Sequence, residues 1–405
     1  MIRRFIGASV LALAIASSAA AQQVDVEDWN GVLDAARGQT VYLNAWGGSE
    51  TINDYLEWAG GRLEDEYGVT LEHVKLGDTA EAVSKVVAEA AAGRDMGGSV
   101  DMIWINGENF ASMKAADLLL APDWASKLPN WELVDLEGQP TIETDFTIPV
   151  EGLASPWGGA KLTFFHDSAV DTGTLPTNAA ELSEWAAANP GRFSYPAPPD
   201  FIGSSFLKQL LIELTDDRAK LLEPVDPATV ADDLEPLFTY LDALHPNLWR
   251  SARAFPQNYP DMRQKLADGE LDVIFAFNPG EAQAGVNAGE LPDTVRSFTF
   301  AEGTLGNTHF LTIPYNANAT AGALVAANFL LSPEAQIRKQ DPQYWGDPTV
   351  LAVDKLNEDD RAAFEAIDLG AATLPPDQLG PKLDEPHPTW MEAIERAWTA
   401  RYGTG

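Results

Sequence analysis

The sequence predicts an α/β fold of two lobes, each a mainly parallel sheet flanked by helices, with a ligand cleft between the lobes. Strand and helix patterns alternate along the chain, two such units occur without being repeats of each other, and no low-complexity linker separates them. Alternating strands and helices are typical of parallel sheets covered by helices. Two units of this size favour two lobes, which we expect strand-like crossings to join.

The chain opens with a pattern typical of an export signal. Residues 1–23 read MIRRFIGASVLALAIASSAAAQQ: two arginines, a short apolar stretch and three alanines. We predict a signal peptide over 1–21, cleavage after Ala21 and a periplasmic location. The apolar run is too short for a membrane anchor, and no other stretch reaches membrane-spanning length. Because the chain contains no cysteine, neither a lipid anchor nor disulfides are expected, and a large core must stabilise the fold.

The first α/β unit follows the signal. Residues 40–47, TVYLNAWG, form a β-branched and apolar run that ends in glycine, which is typical of a buried strand. Residues 52–67 repeat apolar side chains at helical spacing, 69–76 alternate as a strand does, and 80–93 form an alanine-rich helix closed by glycine. A third strand is predicted over 99–107.

The second unit and the return of the chain continue the alternation. The predicted strands are 160–167, 192–198, 271–279 and 308–317, and the predicted helices are 178–191, 204–214, 259–270, 281–291 and 319–340. The predicted divisions are lobe 1 at 22–155, lobe 2 at 156–305, a return to lobe 1 at 306–345, and C-terminal helices packing across the lobes at 346–405.

The chain is strongly acidic. It carries 26 Lys and Arg against 61 Asp and Glu, a formal charge of −35, and loss of Arg3 and Arg4 with the signal makes this −37. Nucleic acids and anionic membranes need a basic surface, so neither is an expected partner. Because the carboxylates are spread along the chain, we interpret them as a salt-adapted surface rather than an acidic patch.

One strand end raises a question about function, since Trp46 is followed by Gly47, Gly48 and Ser49 just before a helix. In open parallel sheets, ligands bind beyond the carboxyl ends of the strands. The glycines there would let the backbone approach a ligand, Ser49 or Thr51 would cap the helix, and Trp46 would form an apolar wall. The alternative is that Trp46 is core and the glycines turn the chain.

The same pattern recurs, because aromatic or amide side chains stand beside glycine or proline at several other strand ends and helix starts. Rings with a few hydrogen-bonding groups are what a small-molecule pocket needs. The candidate ligand-binding residues are Trp46, Gly47, Gly48, Ser49, Trp104, Asn106, Glu108, Asn109, Trp157, Phe201, Ser204, Ser205, Asn278, Tyr315 and Asn316.

Enzyme chemistry is the rival interpretation. Carboxylates that could act in a hydrolase exist at Glu108, Asp145, Asp200 and Glu281, but 61 acidic residues make such pairs inevitable. The chain has no Gly-x-Ser-x-Gly motif and no dinucleotide or phosphate-loop fingerprint, and its five histidines lack ligand spacing. We therefore expect a non-enzyme without cofactor, catalytic residues or metal site.

Five stretches resemble one family. They are NAWGGSETINDYLEW, GGSVDMIWINGENF, GRFSYPAPPDFIGSSFLKQ, NFLLSPEAQIRK and EPHPTWMEAIERAW, and together they resemble the YnjB-type periplasmic solute-binding proteins of the type 2 superfamily that serves ABC importers. The resemblance implies a two-lobed receptor, expected to be a monomer, that closes on a small-molecule solute and docks on an ABC transporter permease in the inner membrane. The superfamily's iron receptors would be expected to show adjacent tyrosines, and this chain has no such pair.

The chemistry of the solute stays open between two classes. Six aromatic residues could surround an aromatic or cationic group: Trp46, Trp104, Trp157, Phe201, Trp249 and Tyr315. Glu108 or Asp200 could balance a positive charge. Serines near helix starts, at Ser49, Ser204 and Ser205, could instead hold an anion. A thiamine-like solute satisfies both sets and is favoured, while an anionic, neutral or polyhydroxylated solute remains an alternative.

Overall fold

The computed structural model describes residues 24–120 and 123–403, and the predicted signal peptide therefore lies outside the described residues. The strands are β1 Thr40–Trp46, β2 Thr70–Leu76, β3 Met102–Ile105, β4 Thr144–Asp145, β5 Ile148–Pro149, β6 Ala154–Lys161, β7 Thr163–Asp167, β8 Val273–Ala276, β9 Val295–Phe298, β10 Thr304–Thr312 and β11 Lys382–Leu383. The helices are α1 Trp29–Ala36, α2 Glu50–Tyr67, α3 Ala80–Ala91, α4 Gly107–Ala115, α5 Ala179–Ala188, α6 Phe201–Leu214, α7 Val230–Leu244, α8 Tyr259–Ala267, α9 Glu281–Asn287, α10 Thr320–Leu330, α11 Pro333–Gln340, α12 Glu358–Glu365 and α13 Pro388–Tyr402. Within these ranges no helix combines the length and the apolar character needed to cross a membrane.

The first lobe is built on a six-stranded mixed sheet. Its strand order is β11-β10-β3-β1-β2, with β6 pairing on β10. Strands β1, β2 and β3 are parallel, so their carboxyl ends meet at one edge, where Trp46 stands opposite Leu76. Val41, Leu43 and Ala45 are fully buried, as expected of a strand covered by helices on both faces.

The second lobe holds a three-stranded sheet of order β8-β7-β9. Both pairings are antiparallel, whereas the sequence predicted a mainly parallel sheet in each lobe. The chain enters this lobe along β7 and leaves it along β9, and neighbouring strands that enter and leave a lobe must run in opposite directions. The α/β class and the helices around the sheet agree with the prediction.

The predicted strand over 192–198 is wrong as a regular strand, because this stretch pairs in no sheet. Its side chains Phe193 and Tyr195 are fully buried, and the N–H of Asp272 donates to the carbonyl of Arg192 at 2.9 Å. The prolines that follow within the segment lack the N–H that a sheet ladder requires. The apolar pattern was therefore a correct signal of burial but not of sheet pairing.

Two short connections join the lobes. Leu162 alone separates β6 from β7, and its N–H donates to the carbonyl of Leu305 on β10 at 2.8 Å. Residues 299–303 lead from β9 back to β10. The predicted boundaries of the lobes remain predictions; β6, which includes the predicted division between 155 and 156, stays in the first sheet as far as Lys161.

The lobes also touch at two glycines away from these strands. Gly280 follows β8 in the second lobe, and Gly346 follows α11 in the first. A side-chain carbon placed on Gly280 would stand 2.2 Å from the carbonyl oxygen of Gly346, so the two backbones meet without room for a side chain. We call this contact the glycine contact.

Candidate functional site

The loops beyond the three parallel strands come together at one edge of the first sheet. The N–H of Gly47 donates to the carbonyl of Leu76 at 3.0 Å, and the hydroxyl of Thr79 donates to the carbonyl of Trp104 at 3.3 Å. Trp46 is half-buried and packs against the cores of both lobes. The strand-end argument from the sequence therefore leads to residues that do lie at the junction of the lobes.

The glycines after Trp46 serve packing within the protein. A side-chain carbon on Gly48 would stand 2.3 Å from the Trp46 ring, and one on Gly47 would stand 2.6 Å from the side chain of Lys75. Packing within the protein already accounts for both glycines, and close approach of their backbone to a ligand stays a prediction. Gly48 leaves space for the Trp46 indole to fold back over the turn, and Gly47 leaves space for the side chain of Lys75.

The polar residues at the two helix starts of this edge have limited freedom. Ser49 precedes α2 and is 2% exposed, but its hydroxyl bonds to the Thr51 hydroxyl at 2.8 Å instead of capping the helix. Asn106 precedes α4, also without a side-chain cap, and is half-buried. Asn109 donates to Glu108 Oε1 at 3.1 Å. Ser49 is therefore already bonded, and Glu108 is held by its neighbour.

The second lobe presents the start of α6 to the same region. Asp200 caps this helix by accepting from the N–H groups of Ile202 and Gly203 at 3.0 and 3.1 Å. The hydroxyl of Ser204 donates to Glu395 Oε1 on α13 at 2.7 Å. A protein carboxylate thus occupies the helix N-terminus, the place where an anionic ligand would otherwise bind.

Aromatic and amide groups complete this face of the second lobe. The rings of Phe201 and Phe277 meet edge to face at 5.6 Å, which brings the end of β8 beside the start of α6. Asn278 uses its side-chain oxygen to accept from the N–H of Gly280 at 3.0 Å, while its buried Nδ2 has no partner. Ser205 is fully buried, and its hydroxyl also lacks a partner.

Two carboxylates of the first lobe face this region. The N–H of Gly107 donates to Asp145 Oδ2 at 2.6 Å, which fixes Asp145 next to Glu108. Asp145 is 1% exposed. One oxygen of each carboxyl, Glu108 Oε2 and Asp145 Oδ1, is buried without a hydrogen-bond partner. Buried carboxylate oxygens left unpaired are costly, so each calls for a partner that the protein itself does not supply.

The carboxyl groups of both lobes influence one another. Burial, with smaller contributions from the charges of Glu395 and Asp78, raises the pKa of Glu108 to about 7. Burial raises the pKa of Asp200 to about 6, with Asp78 adding to the effect. Burial also raises the pKa of Asp145 well above its ordinary value, and that of Glu395. We call Glu108, Asp145, Asp200 and Glu395 the carboxylate cluster.

A buried lysine stands beside this cluster. Lys208 on α6 is fully buried, and its Nζ lies 2.6 Å from Glu385 Oε2 and 4.1 Å from the centre of the Phe146 ring. Asn307 on β10 donates to the other oxygen of Glu385 at 2.9 Å. The positive charge of Lys208 lowers the pKa of Glu108 against the effect of burial. Lys208 is therefore a cation inside the junction of the lobes.

Two tryptophans of the predicted pocket, Trp157 and Trp104, differ in burial, and Trp249 of the predicted aromatic set lies elsewhere. Trp157 is fully buried in the core of the first lobe, where it meets the Trp104 ring at 5.1 Å, so it lines no cleft. The ring of Trp104 is half-buried above it. Trp249 lies outside the junction, between Arg250 and Lys265, and donates to Glu270.

Tyr315 and Asn316 lie at the opposite edge of the first sheet. Because β10 is antiparallel to β3, the residues after Thr312 pass the amino end of β3. There the carbonyl of Asn316 accepts from the N–H of Gly98 at 2.7 Å, and the hydroxyl of Tyr315 donates to the carbonyl of Arg94 at 3.2 Å. The assumption that the return crossing faces the cleft was wrong for this segment.

Sequence reasoning missed several residues of the junction as binding groups. Asp145 was considered only as a hydrolase candidate, and Phe146, Lys208, Asn307, Glu385 and Glu395 were not considered. A lysine at the centre of the apolar helix segment FLKQLLIEL was the one available signal, since lysine is almost never fully buried without a partner. In the described part of the chain no three His, Asp or Glu side chains converge as a metal site would require.

Comparisons with known proteins agree on the class of fold. The family model described as bacterial extracellular solute-binding protein matches residues 59–353. Protein YnjB of Escherichia coli strain K12 is 48% identical over 377 residues, which cover 93% of this chain and 94% of that protein.

Two solved structures extend the likeness at low identity. One is a putative spermidine/putrescine ABC transporter from Listeria monocytogenes, with a TM-score of 0.61, 16% identity, and coverage of 90% of this chain and 98% of that chain. The other is the periplasmic binding protein AfuA of Actinobacillus pleuropneumoniae with bound fructose-6-phosphate, with a TM-score of 0.62, 14% identity, and coverage of 91% and 99%. These likenesses confirm the two-lobed periplasmic binding fold.

Proposed function

Because this chain belongs to the bacterial extracellular solute-binding protein family, we propose that it is the periplasmic solute-binding component of an ABC importer. In this role it captures a small cationic solute between its lobes and delivers it to a permease in the inner membrane. It acts as a monomer, and it releases the solute unchanged. The lobes divide near Leu162, between β6 and β7, and near residue 305, at the start of β10.

One observation carries the choice of a cation: the carboxylate cluster holds unpartnered, buried oxygens contributed around the junction of the lobes. Glu108 Oε2 and Asp145 Oδ1 lack donors. The pKa values of both groups are raised, so a positive charge brought next to them would favour their ionised forms. A solute with N–H donors and a positive charge satisfies these oxygens. An uncharged solute would supply no positive charge to offset the cost of ionising these buried carboxyls.

The aromatic residues favour a cation that also carries a flat or apolar group. Trp46 and Trp104 from the first lobe and Phe201 from the second are half-buried at the junction. Ring faces attract cations by ~0.5–2 kcal/mol each. A thiamine-like solute or another amine with an aromatic or alkyl part is the favoured class.

The fold alone does not decide between cation and anion. The similar protein from Listeria is named for spermidine and putrescine, whereas AfuA binds a sugar phosphate. In this chain Asp200 occupies the start of α6, and Ser204 is bonded to Glu395. Both facts disfavour the anionic alternative, in which these groups would bind the solute.

A binding screen tests the proposal. The purified protein is mixed separately with thiamine, putrescine, choline, glucose and fructose-6-phosphate. Thermal unfolding measures the stabilisation by each compound, and titration calorimetry measures its affinity. A cation present at 100 times its Kd should add about 2.7 kcal/mol of stability. Co-purified solute is identified by mass spectrometry. Stabilisation by an anion or sugar alone would overturn the cationic choice, and catalytic consumption of any compound would overturn the binding role.

A further inference from the structure

Lys208 is placed where a ligand ammonium would be expected. Its Nζ lies 2.6 Å from Glu385 Oε2, 4.1 Å from the centre of the Phe146 ring and 5.8 Å from that of Phe201. A carboxylate with flanking ring faces is the environment in which proteins bind amine ligands. Here a side chain of the protein itself occupies that environment, and it is fully buried.

The position of the Lys208 ammonium, between Glu385 and the Phe146 ring, adjoins the unpartnered carboxyls. We call such a position an ammonium seat. Phe146 directly follows Asp145 in the chain, and a side-chain carbon on Gly107 would stand 2.9 Å from the Phe146 ring. Gly107 in turn precedes Glu108. The Phe146 ring therefore contacts both the Lys208 ammonium and the Gly107 backbone, which directly precedes Glu108.

Lys208 also links the lobes. It belongs to α6 in the core of the second lobe, while Phe146 precedes β6 of the first. Glu385 is held by Asn307 on β10, one of the strands that join the lobes. A solute that enters between the lobes therefore finds the ammonium seat at Glu385 and Phe146 already occupied by Lys208.

We propose that Lys208 is a resident cation that fills one of two neighbouring ammonium seats and thereby restricts the solute to a single ammonium group, bound at Glu108 and Asp145. Lys208 is then a specificity-determining residue that selects monocations over dications. This inference rests on the proposed function, since it concerns the same junction of the lobes. The second seat, at Glu385 and Phe146, becomes available when the lysine is removed.

The test compares putrescine with n-butylamine, which has the same carbon chain and one ammonium fewer. Affinities of both amines are measured by calorimetry for the wild type and Lys208→Ala. The ratio of putrescine to n-butylamine affinity should rise by about tenfold or more in Lys208→Ala, because the second ammonium gains Glu385 as a partner. An unchanged or lower ratio, or no binding of either amine to Lys208→Ala, overturns the proposal.

Control variants keep the result interpretable. Lys220→Ala removes a half-exposed lysine that pairs with Asp233 in the second lobe, and it should leave the ratio unchanged. If Lys208→Ala does not fold, Lys208→Gln keeps an N–H donor for Glu385 without the charge, and the ratio should rise in the same direction. Failure of the proposed function shows separately, as absence of any cation binding to the wild type. In that case, binding of putrescine by Lys208→Ala but not by the wild type still supports the second seat.

Discussion

Trp46 shows at the scale of one residue how packing and binding combine. Its ring folds over Gly48 and packs against the cores of both lobes while remaining half-buried. The sequence left two alternatives for it, cleft wall or core. The structure places it at the junction, packed against both cores, where we propose that the solute contacts the exposed part of the ring.

Replacing Trp46 by Ala should weaken binding of the cationic solute by about tenfold to a hundredfold, because losing a stacking ring costs ~1–3 kcal/mol. Calorimetry measures the affinity, and urea unfolding without solute measures the stability. Gly48→Val should produce a similar loss, since any side chain there displaces the Trp46 ring. Variants that are strongly destabilised yet bind with unchanged affinity where folded would instead identify Trp46 as core.

Glu108 should make solute binding depend on pH near neutrality. Burial raises its pKa to about 7, so a cation should bind more tightly as the pH rises through 7 and the carboxyl ionises. Calorimetry from pH 5.5 to 8.5 measures the change. In Glu108→Gln this dependence should become weaker, whereas Glu184→Gln, an exposed carboxylate on α5, should retain it.

The same group should affect stability without solute in the opposite direction. Because the pKa of Glu108 is higher in the folded state than in the unfolded state, the folded state holds the proton more tightly between the ordinary pKa and about 7. The contribution of Glu108 is therefore complete below the ordinary pKa and is lost as the pH rises to about 7. The difference in unfolding free energy between wild type and Glu108→Gln should shift in favour of the variant over this window; a shift in favour of the wild type would contradict the assignment.

Sequence reasoning found part of the site because strand order leaves a local signal. Trp46 ends β1 and Glu108 lies three residues beyond β3, so their positions at the same sheet edge could be predicted from the chain. Lys208, Glu385 and Asn307 meet across long separations in sequence, and no local pattern records such a contact. Tyr315 was misplaced because the direction of β10 decides which sheet edge it reaches.

At the scale of elements, a buried ionic group fixes the segment after α11 to the strands that join the lobes. Lys339 and His309 both contact Asp347, with His309 Nε2 at 3.0 Å from Asp347 Oδ2. All three are nearly or fully buried. Burial alone would raise the pKa of Asp347, but its contacts with His309 and Lys339 lower it. Gly158 on β6 provides the space for the Asp347 side chain, because a side-chain carbon at position 158 would collide with it.

Lys339→Met should lower the free energy of unfolding by ~3–5 kcal/mol, because it leaves a buried carboxylate short of one partner. Chemical denaturation of the protein without solute measures the loss. Lys339→Met combined with Asp347→Asn should restore part of it, since the uncompensated charge is then absent. A loss below ~1 kcal/mol in the single variant would mean that His309 alone compensates Asp347.

Strands and helices with strong periodicity were predicted well, as with β1 and α2. The segment 192–198 was not, because its prolines prevent pairing while its side chains remain apolar. The direction of the strands in the second lobe was also not predictable, since it follows from how the chain enters and leaves that lobe. Periodicity reports the environment of a segment, whereas sheet topology depends on partners far away in the chain.

At the scale of the whole molecule, the surplus of acidic residues should make stability depend on salt. The chain has 61 Asp and Glu against 26 Lys and Arg, and the carboxylates are spread along it. Raising salt from about 10 mM to physiological strength shortens the Debye length from about 30 to about 8 Å and screens their repulsion. The unfolding temperature should therefore rise with sodium chloride. A midpoint that stays constant or falls would show that attractive pairs dominate.

We expect the glycine contact to limit the thickness of a solute that binds between the lobes as proposed. Gly280 and Gly346 meet backbone to backbone, so the distance between the lobes at that point is fixed by main-chain atoms rather than by the solute's chemistry. Molecules of equal thickness should thus give the same outer shape to the closed protein, even when their affinities differ. A molecule that binds the carboxylates well but is too thick for the glycines to meet should occupy the protein in a partly open form. Such a molecule would act as a competitive inhibitor of uptake, and the spacing of the two backbones gives the dimension along which to enlarge it.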